Sequence, residues 1–398
     1  MLRCIIMIIG AFLIGHCIKA QDPFFTHYFG NESIFNPAFT GKRGAVTLKG
    51  NYRSQWDQPG QAAPYEIFQL TLEESVPCFF LDWGIGYSHA KAGEGPLEIN
   101  QLEFRAAIHG KTFSFNRNGL IDLRGGFSIG RGDRSLDWEQ LVYLDQYDAL
   151  YGLVGPSGAN QTAFAPGTTE STGYWTNSIG FAGRLIGNKR SEKSLTADIG
   201  FAVHNWGGLS SIDDQQSPSL LGQDLMLGER MVFAANVQIP VHQKTRDFWA
   251  IAPAAMFQTQ EGLQYLEVGL DVIYKRDLRL GLYAHAAQFE YSQANTNWVS
   301  LRANLGKTLI HGYDSQASKR IDFGIALNIN AGGLGNLNRP SLEFTAVLSF
   351  GGKSPSCSLS GSAEDGRYED RSQNCYQFDV SGARRKIYDQ IWYEDRQL

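Results

Sequence analysis

From residue 44 to residue 350 the chain repeats one pattern, in which an apolar residue alternates with a small or polar one for about ten positions before a turn. A period of two sends successive side chains to opposite faces of a strand, and helical spacing does not reproduce it. In the last segment Leu342, Phe344, Ala346, Leu348 and Phe350 share one face, while Ser341, Glu343, Thr345 and Ser349 share the other. Val347 alone breaks the polar side. The same alternation sets Leu102, Phe104, Ala106 and Ile108 against Gln101, Glu103, Arg105 and His109, and Ile321, Phe323, Ile325, Leu327 and Ile329 against Asp322, Gly324, Asn328 and Asn330.

A single alternating strand does not separate a soluble sandwich from a membrane barrel, because both bury one face. Strand length does. The segments 44–53, 66–74, 79–89, 98–110, 118–130, 174–186, 194–204, 229–240, 248–258, 264–275, 278–288, 297–309, 319–330 and 341–350 are about 14 strands, mostly at or above the roughly 9 to 11 residues that a tilted spanning strand needs. Soluble strands cluster nearer 5 or 6. Loop lengths agree: with the N-terminus in the periplasm, the outer connections include 131–173 and 205–228, and the inner ones include 75–78, 187–193, 241–247 and Arg276-Asp277. Short turns inside and long loops outside are the outer-membrane arrangement. The expected fold class is all-β, a transmembrane antiparallel barrel over 44–350 that lies in outer-membrane lipid.

The ends complete the domain plan. Arg3, the apolar run from Cys4 to Ile14, and Ala20 before Gln21 read as a secretory signal peptide over 1–20. His16 stands before Cys17 where a lipoprotein signal requires a small residue. Residues 21–43 form a periplasmic lead-in, and the Ser-rich, then charged 351–398 a C-terminal periplasmic extension. Beyond the signal no window reaches the roughly 18 apolar residues of a membrane helix. Cys78, Cys357 and Cys375 outlast the signal. An oxidised Cys357–Cys375 pair suits a periplasm, with Cys78 left free or competing.

A net charge of -5 gives nucleic acid no purchase. No Cys-x-x-Cys pair or His-Glu-x-x-His occurs, nor the full Gly-x-x-x-x-Gly-Lys-Ser/Thr of a phosphate-cradling loop, and the eight histidines are scattered singly. The expectation is a protein with no catalytic residues, no metal and no cofactor.

Three ordered motifs follow the signal: Gln21-Asp22-Pro23-Phe24-Phe25-Thr26-His27-Tyr28, then Phe35-Asn36-Pro37-Ala38-Phe39-Thr40-Gly41, then Tyr52-Arg53-Ser54-Gln55-Trp56. They resemble the opening of the PorP/SprF family of type IX secretion proteins, with its Asp-Pro-x-Phe-x-x-Tyr, Asn-Pro-Ala-(Tyr/Phe)-x-Gly and Tyr-Arg-x-Gln-Trp elements. Weaker similarity runs through Gly200 to His204, Val268 to Lys275 and Ser341 to Phe344, so the resemblance spans roughly 21–350. It departs at the long 131–173 loop and in the tail after Phe350. The resemblance implies an outer-membrane component of the type IX secretion and gliding machinery that helps secrete cargo proteins such as large adhesins, or retain them at the cell surface. It implies as partners other type IX components, including periplasmic lipoproteins, and secreted cargo domains. The alternative function for such a barrel is a porin or hydrophobic-substrate transporter.

Within these motifs Pro23 and Pro37 bar helix at the residues before them, and the aromatics Phe24, Phe25, Tyr28 and Phe35 must pack somewhere. Together with Asn36 and Pro37 they are the candidate plug or partner contacts, expected at the periplasmic mouth. Tyr52, Arg53, Gln55 and Trp56 mark where the first strand leaves the bilayer, a position that suits amphipathic rings. Arg53 faces inward with Glu66 or Glu103 as its expected partner. The polar faces carry Arg105, Asp122, Arg124, Asp198, Glu267, Asp271, Arg279, Arg302, Asp322 and Glu343, mixed signs that cross-link a lumen more readily than they select ions. Arg131-Gly132-Asp133 is expected to open the longest outer loop as a turn.

Overall fold

The structure, a computed structural model, describes residues 25–26, 28, 30–42, 46–55, 64–76, 81–92, 97–109, 113–114, 119–137, 147–148, 152–153, 171–187, 195–206, 227–244, 247–260, 262–275, 277–289, 296–309, 319–331 and 340–350. Fourteen long strands follow one another: β1 Val46–Gln55, β2 Tyr65–Glu74, β3 Leu81–Ala92, β4 Leu97–His109, β5 Leu120–Leu136, β6 Ser171–Ile186, β7 Thr196–His204, β8 Arg230–Lys244, β9 Asp247–Gln260, β10 Leu263–Tyr274, β11 Leu278–Phe289, β12 Thr296–Leu309, β13 Lys319–Asn330 and β14 Ser341–Phe350. Each pairs antiparallel with the next, and β14 returns to β1 with Val46 opposite Phe350 and Ser54 opposite Leu342. The sheet therefore closes into a barrel without edges, the one sheet geometry that a bilayer accepts.

The burial pattern is inverted relative to a soluble protein. Leu102, Phe181 and Phe323 stand outward at 58%, 59% and 61% exposure, while Lys49, Arg105, Glu267 and Glu343 are buried inside. Outward apolar residues girdle every strand because hydrocarbon receives them, and the polar set satisfies itself within the lumen. Val347, the exception in the polar face of β14, also points inward. It lies against the space beside Gly30 of the lead-in, so an apolar residue has an apolar neighbour there.

The two rims differ. At the terminal rim, where β1 begins and β14 ends, β8 and β9 are joined through 245–246 and β10 and β11 through 275–277. The opposite, loop rim carries the connections 137–170 and 205–229. Arg131-Gly132-Asp133 lies inside β5, not in a loop, with Arg131 opposite Leu102 and Trp175 and Asp133 opposite Asn100 and Gly173. Two contacts hold it extended: the Arg131 guanidinium sits 5.3 Å from the Trp175 ring centre, and the Tyr174 ring fills the space a side chain at Gly132 would take. The 17 residues of β5 at about 3.3 Å each, tilted near 40°, rise about 43 Å against a ~25 Å apolar band. The β5–β6 hairpin thus stands out of the membrane.

Candidate functional site: the luminal seat of the N-terminal segment

The lead-in was expected at the periplasmic mouth, and its described residues lie within the lumen. Glu32–Phe35 form one helical turn, α1, and Pro37–Phe39 a 3-10 turn. Between them Pro37 forces Asn36 into an extended conformation, φ -152° and ψ 114°, and the Asn36 Oδ1 accepts the Ala38 N–H at 2.9 Å. The chain then reverses through Thr40, whose hydroxyl donates to the Pro37 carbonyl at 2.8 Å, and Gly41 at φ +71°. A side chain at Gly41 would meet both that left-handed backbone and the Asp82 Cβ at 2.6 Å.

This turn fits a groove of small wall residues. Gly126 of β5, Gly180 of β6 and Gly200 of β7 face the lumen side by side, and Ala38 and Phe39 pack with Ala182 beside them. A Cβ on Gly126 would overlap the backbone of Pro37 and Ala38, one on Gly180 the Asn36 amide, and one on Gly200 would come within 2.7 Å of Asn36 Nδ2. The amide of Asn36 donates to the carbonyls of Phe181 at 3.0 Å and Phe201 at 3.2 Å, and His204 Nε2 donates to the Phe35 carbonyl at 2.9 Å. Asn36→Ala removes the contacts to both strands and is expected to cost about 1–3 kcal/mol. Faster proteolysis of the lead-in in detergent, with the barrel intact, checks it.

Buried charges hold the rest. The Glu73 carboxylate, fully buried, accepts from Lys49 Nζ at 2.9 Å, from the Gly41 N–H at 3.0 Å and from the Ser33 hydroxyl, so one wall residue clasps both arms of the segment. Arg124 donates to the Thr40 carbonyl at 3.0 Å and pairs with Asp82, which in turn accepts the Val76 N–H at 2.8 Å. Lys42 reaches Asp198 at 3.3 Å and Glu32 at 3.7 Å, and Arg184 Nε lies 3.2 Å from Asp198. Toward the loop rim Thr26 is held on both sides: its N–H and hydroxyl donate to Glu343 at 3.0 and 2.7 Å, its hydroxyl also lies 3.2 Å from Asn328 Oδ1, and its carbonyl accepts from Arg302. Arg302 also donates to Glu267 at 2.8 Å, and Tyr265 joins Glu267 at 2.9 Å to His285 at 2.7 Å. Such charges are tolerable away from water only when paired in this way.

Of the candidate contacts, Phe25 and Phe35 are buried together with Ile67, Val232, Met256 and Tyr265, and Tyr28 packs half-buried on the same cluster, 5.6 Å from the Phe35 ring. Asn36 and Pro37 sit in the glycine groove. Tyr52 faces outward, Arg53 is buried in the lumen, and Gln55 is half-buried at the end of β1. Phe24, Trp56, Cys78, Cys357 and Cys375 lie outside the described residues. The expected partners of Arg53 are engaged elsewhere, Glu66 by Tyr52 and Glu103 by Arg105; its cross-strand neighbour is Glu343. The charges on the polar faces do cross-link the lumen. Sequence reasoning missed the glycine groove and Glu73, because a glycine among small residues and a glutamate near a strand end carry no signal of a neighbour far along the chain. It also passed over Gly126-Phe127-Ser128-Ile129-Gly130, which spells the Gly-x-Ser-x-Gly of a nucleophile elbow. That string runs mid-strand in β5, and the Ser128 hydroxyl bonds that of Ser178 rather than topping a strand-to-helix turn.

Among solved structures the chain is similar to a Pseudomonas aeruginosa FadL homologue at 12% identity and a TM-score of 0.36, covering 79% of this chain and 91% of that one. It is similar to the CymD monoaromatic hydrocarbon channel at 11% and 0.36, covering 84% and 96%. CdiB from Acinetobacter baumannii matches at 7% and 0.37, covering 76% and 60%. No curated protein matches the chain. The family described as type IX secretion system membrane protein PorP/SprF matches residues 18–348, the lead-in and nearly the whole barrel. A closed barrel with a lipid-facing girdle and that match together place the chain in the outer membrane as a member of the PorP/SprF family of the type IX secretion system.

Proposed function

We propose that this barrel is a self-plugged accessory component of the type IX machinery, which helps secrete particular cargo proteins, large adhesins among them, or holds them at the cell surface. It works by binding, without catalysis of its own. The observation that carries this reading is the seating of the lead-in by Glu73, Arg124, Arg302 and Glu343, which occupies the lumen that a conduit would keep open. The β5–β6 hairpin at the loop rim offers a surface to cargo domains, and the terminal rim offers one to periplasmic lipoproteins. Detergent pull-down of the full chain with mass spectrometry tests the partners. Deleting the gene is expected to lower the surface level of particular secreted proteins, and an unchanged surface proteome would remove the assignment.

The alternative, a porin or hydrophobic-substrate transporter, makes a different prediction in planar bilayers. The purified wild-type barrel is expected to give no large steady conductance, because the lead-in is bonded to wall residues within its lumen. A porin-like steady current from the wild type would favour the alternative.

A further inference from the structure

Closing the sheet removes its edges within the bilayer but leaves one above it. Strand β7 is short, and its last pair with β6 sets His204 opposite Ser178. There Asn205 takes a left-handed backbone, φ +57°, and its N–H donates to the Asn177 carbonyl at 2.6 Å. The Asn177 side chain clasps Trp206, accepting its N–H at 2.7 Å and donating to its carbonyl at 3.0 Å. Beyond this point β6 continues to Ser171, paired with β5 throughout, with Ser171 opposite Ser135. Among the described residues no strand pairs with that stretch on the β7 side.

The Asn177 carbonyl points toward β7, so by the two-residue period the N–H and C=O groups of Trp175, Gly173 and Ser171 point to the same open side. Ser171 to Thr176 extend about 20 Å at ~3.3 Å per residue, the length of one ordinary strand. The edge is held in shape. The Arg134 guanidinium lies 5.1 Å from the centre of the buried Tyr174 ring, and the Thr176 hydroxyl accepts from Gln101 at 3.1 Å. It is also unguarded. At the terminal rim β8 makes a comparable step, running to Lys244 beyond its last β7 pair at Gln238, and there Pro240 and a register shift blunt it, as natural sheets do with exposed edges. Ser171-Thr172-Gly173-Tyr174-Trp175-Thr176 carries no proline and no charge.

We propose that the Ser171–Thr176 edge of β6 is a strand-addition site, on which a secreted cargo domain lays an extended strand antiparallel to β6. This rests on the cargo-binding reading above and names its contact. The edge stands at the loop rim, on the side where secreted domains arrive. A second copy in the same membrane would offer its own β6 only in the parallel direction, the weaker pairing, whereas a domain outside the membrane is free to turn. Backbone bonds supply the affinity, and an aliphatic or aromatic residue of the added strand lies beside Trp175 on the outer face.

The test compares surface proteomes of cells carrying the full-length wild type, Gly173→Pro, Gly173→Ala or the gene deletion. Proline removes a donor from the open side alone, and alanine keeps it. Proteins that the deletion depletes are expected to fall several-fold in Gly173→Pro and to stay at wild-type level in Gly173→Ala, with the heat-modifiable barrel unchanged in amount. Should Gly173→Pro fail to fold, Ser171→Pro at the first residue of the strand takes its place, with the same fall expected. Cargo at wild-type level beside a folded proline variant would overturn the strand-addition site and leave the secretion assignment standing, and a deletion that depletes nothing would remove both. In the purified wild type, hydrogen-exchange mass spectrometry is expected to show fast exchange at the Ser171, Gly173 and Trp175 amides. Protection there at every protein concentration would assign the edge to a segment of this chain, and protection that grows with concentration to a second copy. Either result overturns the proposal.

Discussion

Replacing Gly180 by valine is expected to expel the lead-in from its seat and turn a silent barrel into a conducting one. The first carbon of any side chain there would overlap the Asn36 amide, and the site has no slack. On one side is the wall of β6 itself, and on the other a segment fixed at Thr26 by Glu343 and at Gly41 by Glu73. Overpacking of this kind costs about 1–3 kcal/mol when a core can adjust. Here the turn and not the wall must give way, because Gly180 is held in the strand ladder on both sides, opposite Ala202 and Gly126. Planar-bilayer recording should then show steady openings absent from the wild type, while heat-modifiable migration on gels still reports a folded barrel. Gly126→Val should act in the same way, since its side chain would meet the Pro37–Ala38 backbone, which no rotamer can move. By contrast Gly50→Val, at a glycine with open space around it, should leave the barrel silent. If Gly180→Val stays silent and folded, the lead-in is not what closes the lumen.

Glu73→Ala is expected to be the most destabilising single change in the wall. The carboxylate and its partner Lys49 are both within 1% of full burial, so removing one leaves an ammonium without a counter-charge. Breaking a buried pair in this way typically costs about 3–5 kcal/mol. Ser33 and the Gly41 N–H lose their acceptor at the same time, so the seat loosens together with the barrel. Urea titration in detergent should place the midpoint of Glu73→Ala well below wild type. The informative comparison is the double variant Glu73→Ala with Lys49→Met, which removes the stranded charge and should recover much of the loss. A double variant no better than the single one would mean that the acceptor role toward Ser33 and Gly41 outweighs the charge pair.

Much of the architecture is readable in the sequence. Alternation in β14 and β4 assigned the outward apolar and inward polar faces correctly, because a period of two has only one way to sit in a wall with lipid on one side. The opening motifs led to the family on residues alone. The errors share a cause. Arg131-Gly132-Asp133 reads locally as a turn, yet Tyr174 and Trp175 from the next strand hold it extended. Arg53 has several carboxylates within reach by sequence, and only the return of β14 to β1 sets Glu343 beside it. Val347 looked like a flaw in a polar face until Gly30 came to lie against it.

The sequence by itself determined the class of the fold, the strands and which face of each meets lipid, since alternation, strand length and turn residues act over neighbouring positions. Where the lead-in goes was a tertiary decision. Its polar atoms find partners only across the closed barrel, as Thr26 does with Glu343, 317 positions away, and Asn36 with Phe201, 165 away. Closure of the sheet brings those strands around one lumen, and the small residues that make room there are defined only by what packs against them.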